Sequence, residues 1–333
     1  MLTVLNDLHI GVIRSAGTTP TSQFNLRKYL LQQFGELLAN TKTDLMILGD
    51  LFDTSVIPMY DFYAAFSLLS HWIDEAKHTL YLVPGNHDLS KTSTTLSSFQ
   101  LLCKILSNYD DVVVLDGPEE TDYGYVIPHM PNQDLFNDAL TKVPACNNLF
   151  LHCNYNNHFA VESDQSLNLA ASQVETLPCE NIIIAHEHQY RKIGDKIWIP
   201  GNQIPSSISD LLGCTKKYVL MAFEEAKPTL STFLETASVY LELNWKQLQS
   251  SNSKFIRIVG EAKPEEASEV VSAISKYRQQ SEAFVIANAV KIKSEDSAEN
   301  FAENLESVKS FDVMAALKET LTAEEFSVIE RLE

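Results

Sequence analysis

Histidines and carboxylates in this chain fall into short clusters, each just after an apolar run. Asp7-Leu8-His9 closes the run at 2–6, and Gly49-Asp50-Leu51-Phe52-Asp53 follows 45–48. Gly85-Asn86-His87-Asp88 follows 79–83, His152 ends 149–151, and His186-Glu187-His188 follows 182–185. Five of the nine histidines sit at these positions. One Asp-x-His or one Gly-Asn-His-Asp turn is ordinary composition. Five fragments at the carboxyl ends of strand candidates are not ordinary, because that edge of an open α/β sheet is where ligand sites form.

The residue types suit a pair of divalent cations hydrolysing a phosphoester. Such cations stand roughly 3.5–4 Å apart and clamp the attacking and leaving oxygens. A carboxylate must bridge them, and Asp50 is the natural candidate. With Asp7 it supplies two negative charges against four positive ones, which leaves the site cationic for a phosphate ester. Mixed imidazole and carboxylate donors favour Mn, Fe or Zn over Mg or Ca. If Asn86 is a ligand, His87 stands beside the site, free to protonate a leaving alkoxide or hold a phosphate oxygen. Asp88 or Asp53 is expected to orient that imidazole.

The elements that must carry these residues alternate along residues 1–225. Strands are expected at 2–6, 45–48, 79–83, 112–115, 149–151, 182–185, 197–199 and 218–223, several of them short, continuous and apolar as buried strands are. Helices are expected at 21–39, with Ser22 as N-cap, and at 61–76 and 95–106. Strand and helix in alternation give an α/β layered core. After Lys227 a β-α-β piece is expected: strand 255–259, helix 264–281 and strand 283–293. Residues 294–306 read as an acidic linker. The stretch 311–332 places Val313, Met314, Leu317, Leu321, Phe326, Ile329 and Leu332 on a helical period, with Thr322 and Glu325 as a capping box. The expected units are 1–226, 227–294 and 295–333.

Composition narrows the partners. The chain has 333 residues, 45% hydrophobic and 21% charged, an ordinary globular balance. No apolar run nears the roughly 20 residues that cross a bilayer, and no secretory leader is expected at the start. An odd set of five cysteines without C-x-x-C argues against a disulfide framework or zinc finger. The expected compartment is the cytoplasm, or the host cytoplasm if the chain is phage-encoded. No P-loop is present, so any ATP dependence belongs to another chain. The net charge is −19, spread as −13 over 1–226, +2 over 227–294 and −8 over 295–333. Nucleic-acid binders usually show a basic face. The basic residues of the second unit, Lys246, Lys254, Arg257, Lys263, Lys276, Arg278, Lys291 and Lys293, form either a solvated face or the candidates for contact with a nucleic-acid backbone.

The ordered set D-L-H, G-D-L-F-D, G-N-H-D, a lone strand-end His and H-E-H resembles the signature of the calcineurin-like metallophosphoesterases. Within that superfamily the chain is most similar to SbcD-like nuclease subunits, including short phage-encoded ones. Asp7-Leu8-His9-Ile10-Gly11, Gly49 to Asp53 and Ile199-Pro200-Gly201-Asn202 carry that finer resemblance. It implies a four-layer α/β/β/α sandwich with a small β-α-β cap and a helical tail. It implies two metals, typically manganese: Asp7, His9, Asp50 and His188 around one, and Asp50, Asn86, His152 and His186 around the other. His87 would be the proton donor or phosphate-orienting residue. The implied activity is exonuclease on duplex ends and endonuclease on single strands, as a homodimer with an SbcC-type ABC ATPase docked on the carboxy-terminal helices. The usual G-H-x-H reads Ala185-His186-Glu187-His188 here, which alanine tolerates if φ there is negative. The alternative reading is a stand-alone phosphoesterase for a small nucleotide or phosphoprotein.

Overall fold

The structure, a computed structural model, describes residues 1–13, 18–92, 94–157, 166–223 and 226–293. In chain order the elements begin β1 (Leu2–Leu5), α1 (Pro20–Asn40), β2 (Asp44–Leu48), α2 (Met59–Ala76), β3 (Leu80–Val83), α3 (Ser98–Leu106) and β4 (Val112–Val114). A second run follows: β5 (Glu119–Thr121), β6 (Gly124–Ile127), α4 (Gln133–Thr141), β7 (Cys146–His152), β8 (Asn154–Tyr155), β9 (Asn168–Leu169), α5 (Ala171–Val174), β10 (Cys179–Ala185), β11 (Arg191–Ile193) and β12 (Ile197–Ile199). The chain continues through β13 (Lys216–Phe223), β14 (Ala226–Glu235), β15 (Tyr240–Asn244), β16 (Phe255–Ala262), α6 (Ala267–Gln280) and β17 (Val285–Ile292).

Two six-stranded sheets form, ordered β14-β13-β1-β2-β3-β4 and β11-β12-β10-β7-β6-β5. The strand period of two decides the layers. Leu2, Val4, Met46, Leu48 and Val83 of the first sheet pack with Val126, Phe150, Ile183 and Ala185 of the second, making the sandwich interior. Their alternates Leu5, Leu45, Ile47 and Leu82 face helices α1 to α3. On the other side Leu149, Leu151, Ile182 and Ile184 face Phe136 and Leu140 of α4. Because both faces of each central strand are covered, those strands read as continuous apolar runs. The result is the four-layer α/β/β/α arrangement.

Helix α1 starts one residue earlier than expected, and its N-cap lies three residues earlier. Thr19, not Ser22, is the N-cap: its hydroxyl accepts from Ser22 N at 3.2 Å, and Ser22 Oγ accepts from Thr19 N at 2.7 Å. Pro20 fixes the cause, since it suits the first helical position and holds the preceding residue extended.

The expected boundary at 226/227 falls inside a hairpin. Strand β14 pairs with β13 antiparallel and completes the first sheet, so residues through Glu235 belong with that sheet. Beyond it β15, β16 and β17 form a parallel sheet against α6, with Leu243, Ile256, Ile258, Val270 and Ile274 as its core. Phe255 and Phe284 of this unit pack on Tyr29 of α1. The expected linker and tail helices of 295–333 lie outside the described residues.

Candidate metal centre

Strands β1, β2 and β3 run parallel in one sheet, and β6, β7 and β10 run parallel in the other. The clusters that follow β1, β2, β3, β7 and β10 therefore meet at one edge. Main-chain bonds weld the loops: Asp7 N donates to Gly49 O at 3.1 Å, His9 N to Asp50 O at 3.1 Å and Gly49 N to Val83 O at 2.9 Å. The sheets join where His152 Nδ1–H donates to the Leu48 carbonyl at 3.2 Å.

This welding holds an unusual backbone. Asp7, His9, Asp50 and His186 adopt positive φ of 51°, 47°, 52° and 88°. Such conformations cost on the order of 1–3 kcal/mol each outside glycine and persist where the surroundings over-determine them. Two glycines allow the close approach. A Cβ on Gly49 would lie 2.1 Å from His152 Nδ1, and one on Gly85 would lie 2.2 Å from Asp50 Oδ1. Ala185, by contrast, ends β10 without a positive φ, so the departure from G-H-x-H introduces no strain there.

The side chains form three overlapping groups: Asp7, Asp50, His152 and His186; Asp7, His9 and His188; and His9, Asp50 and His87. Within each group the ligand atoms lie within 4.8 Å of one another. Asn86 joins the first, its Oδ1 being 3.1 Å from His152 Nε2 and 3.0 Å from His186 Nδ1. All seven residues expected as ligands are thus brought together, with Asp7, His9 and Asp50 each shared between two groups.

The donor set suits cations. His152 gives its Nδ1 proton to Leu48, so in the neutral ring Nε2 presents a lone pair, yet that atom faces Asn86 Oδ1 and, at 3.4 Å, Asp50 Oδ2. His188 gives its Nδ1 proton to Asp210 Oδ1 at 2.9 Å, and its Nε2 meets His9 Nε2 at 3.0 Å. Asp7 Oδ1 is buried with no hydrogen-bond donor. Lone pairs aimed at one another in a buried space call for positive charge between them. Burial alone would raise the Asp50 carboxyl, but His152, with His9 and His87, holds it well below the ordinary carboxylate range. Burial opposes charge on His152 too, yet Asp50 and Asp7 push its imidazole up to about 9. Without a metal a proton fills that role, and a bound metal would displace it.

His87 is fixed differently. Its Nδ1–H donates to the main-chain carbonyl of Asp53 at 2.6 Å, and its N–H donates to Asp50 Oδ1 at 2.9 Å. The Asp53 carboxylate stands 3.2 Å from His9 Nδ1. The expectation that Asp88 orients His87 needs correction. Asp88 is fully buried and accepts from the main-chain N–H groups of Leu51, Phe52 and Gly85, so it ties the two loops together. The Asp88 carboxylate is taken up by these backbone donors, and the His87 ring is held by the Asp53 carbonyl instead.

Sequence patterns missed the supports behind His188. Asp210 accepts from His188 and, through Oδ2, from Ser206 N at 2.8 Å and Ser207 N at 2.9 Å. Buried Lys217 donates to the His188 carbonyl at 3.1 Å and to Asn202 Oδ1 at 2.6 Å. Gln203 and Asn6 exchange hydrogen bonds behind Asp7. None belongs to a recurring motif, so only their place in space reveals them.

The basic candidates for DNA contact are largely engaged elsewhere. Lys246 pairs with Glu266 at 3.0 Å, Arg257 with Glu242 at 2.8 Å and Lys293 with Glu261 at 2.7 Å. Arg278 donates to the Ile286 carbonyl, and Lys254 lies over the Phe284 ring. Lys263, Lys276 and Lys291 are exposed.

Residues 1–190 match the calcineurin-like phosphoesterase family, Metallophos. The chain belongs to that family. No curated protein matches it. The matched stretch of this phosphoesterase contains every ligand candidate and His87, whereas Asp210 and Lys217 lie beyond it. The family is one of metal-dependent hydrolases, and the Asp/His cluster gives this phosphoesterase a plausible metal site. Among its described residues no helix is long and apolar enough to cross a membrane.

Proposed function

We propose that the chain is a two-metal, manganese-dependent DNA phosphodiesterase, an SbcD-like nuclease subunit working with an SbcC-type ABC ATPase. The observation that supports this most is the convergence of three ligand groups that share Asp7, His9 and Asp50, with His87 in one of them. When bound, two adjacent divalent cations polarise the ester and supply the nucleophile for in-line displacement. The Asp7, His9 and His188 side would hold one cation. Asp50, Asn86, His152 and His186 would hold the other.

His87 carries the protein's own chemistry. Its Nδ1 proton is committed to Asp53, so Nε2 is the nitrogen left for substrate. There it would protonate the leaving alkoxide or hold a phosphate oxygen. The Asp53 carboxylate steadies His9, and the positive-φ backbone keeps these groups at fixed spacing before substrate arrives.

The motif resemblance and the extra unit of β15–β17 with α6, packed on α1, favour a polymeric substrate. A homodimer with its ATPase docked on residues 308–333 belongs to the same reading. A stand-alone phosphoesterase for a small nucleotide or phosphoprotein is the second reading. The net charge of −19 and the carboxylate pairing of Lys246, Arg257 and Lys293 favour it.

The test is manganese-dependent cleavage of end-labelled linear duplex against covalently closed circular DNA, with a chromogenic phosphodiester in parallel. Cleavage of linear DNA that disappears with Asp50→Ala is the expected result. Ester hydrolysis without DNA cleavage, even with the co-purified ATPase present, moves the second reading ahead.

A further inference from the structure

The edge of the second sheet opposite the metal centre carries two thiols. Cys146 opens β7 and Cys179 opens β10, and the two are register partners on these parallel strands. Adjacent strands lie about 4.8 Å apart, within the Cα separation of roughly 4.4–6.8 Å that a disulfide spans. As register partners on neighbouring strands, the two side chains leave the same face of the sheet. A cavity of about 420 Å³, lined by both cysteines with Asn147, Leu177, Pro178 and Glu180, gives small molecules access.

The surroundings favour reaction at Cys146. The neighbouring Cys179 thiol is the largest influence and lowers the Cys146 thiol against burial and the Glu120 charge, with Lys196 adding a favourable positive charge. Lys196 is anchored nearby by the Val174 and Leu177 carbonyls, at 3.1 and 2.8 Å. Cys103 and Cys153 differ: burial pushes both thiols up, away from the nucleophilic form.

We propose that Cys146 and Cys179 form a peroxide-oxidisable dithiol site that closes to a disulfide across β7 and β10. The Cys146 thiolate attacks hydrogen peroxide; an S–O bond forms, the O–O bond breaks, and the departing hydroxide takes a proton to become water. Cys179 sulfur then attacks the sulfenic acid; the S–S bond forms, the S–O bond breaks, and the departing hydroxide takes the Cys179 proton. Two thiols lose two electrons and one peroxide becomes two waters. The same strands end at His152 and beside His186, so the crosslink fixes their spacing about 20 Å from the candidate centre. The site stands independently of the phosphoesterase chemistry.

The experiment exposes the metal-free full chain to hydrogen peroxide near neutral pH, counts free thiols and maps linked peptides after cleavage at glutamates. The chain is expected to lose two of its five thiols and to link Cys146 to Cys179. Cys153→Ser should behave the same. Cys146→Ser should react at least about tenfold more slowly, since the activated thiolate is gone. Cys179→Ser should stop at a sulfenic acid that dimedone captures. The serine variants are near-isosteric, and their unfolding temperatures before oxidation show whether each is folded. Oxidation of folded Cys146→Ser at the wild-type rate overturns the proposal, as does a principal crosslink through Cys103, Cys153, Cys214 or a second chain.

Discussion

A metal ligand is defined as much by what holds its far side as by its donor atom. His152 is oriented by a main-chain carbonyl, His188 by the Asp210 carboxylate and His87 by the Asp53 carbonyl. Asp210→Asn should therefore weaken manganese binding by about 10–100-fold while the fold survives, and calorimetric titration of the metal checks it. His87→Ala should lower kcat by about 10²–10⁴ with metal content unchanged. Activity retained in the metal-replete variant would remove His87 from the proton-donor role. The pH response of the metal-free chain should carry a signature of His129. Burial, with the neighbouring His152, lowers its imidazole to about 4. The unfolded chain then takes up this proton first as pH falls, so stability drops between about pH 6.5 and 4 by up to about 1.4 kcal/mol per pH unit. His129→Gln should flatten that part of the slope in urea midpoints measured across the window.

The elements matter because their ends do. Five parallel strands deliver ligands only because their register brings the five carboxyl ends to one edge, and the turns that follow leave no slack. Gly49, with φ of +80° and the His152 ring against it, is the tightest of these turns. Gly49→Ala should cost at least about 2 kcal/mol, from strain in the left-handed region and displacement of His152. Thermal unfolding measures the loss, and metal content should fall with it. An alanine variant that binds metal as tightly as wild type would show that the turn can relax. At Ala185 the opposite holds: its φ is not positive, so the methyl group adds no left-handed strain.

At the scale of the molecule, the sandwich and the smaller β15–β17 unit divide the work. The sandwich holds the candidate centre, and the smaller unit packs on α1 beside it through Phe255, Phe284 and Tyr29. Three of its eight basic candidates, Lys246, Arg257 and Lys293, are paired with carboxylates, so it offers less free positive charge than its composition suggests. A chain of this net charge would grip DNA better alongside a basic partner. Deleting residues 308–333 should accordingly leave chromogenic ester hydrolysis within about twofold and abolish association with a co-expressed ATPase. An unchanged elution volume for the complex would separate the docking role from that segment.

The layered class, most of the central strands and the clusters that supply the seven ligand candidates are legible in the sequence. They are so because buried parallel strands are short apolar runs and ligands follow them directly, both of which are local patterns. The edge hairpin of β5 and β6, the strand β14 and the strand β15 escaped it, since edge and half-exposed strands lack a continuous apolar run. The apolar period points to Ser22 as the N-cap, whereas Pro20 starts the helix and makes Thr19 the cap. Only the tertiary structure could decide that Asp210 backs His188, that Asp88 braces main chain instead of His87, and that Cys146 faces Cys179. Those pairings join residues far apart in the chain through the register of strands and the folding of loops, and no spacing along the chain encodes them.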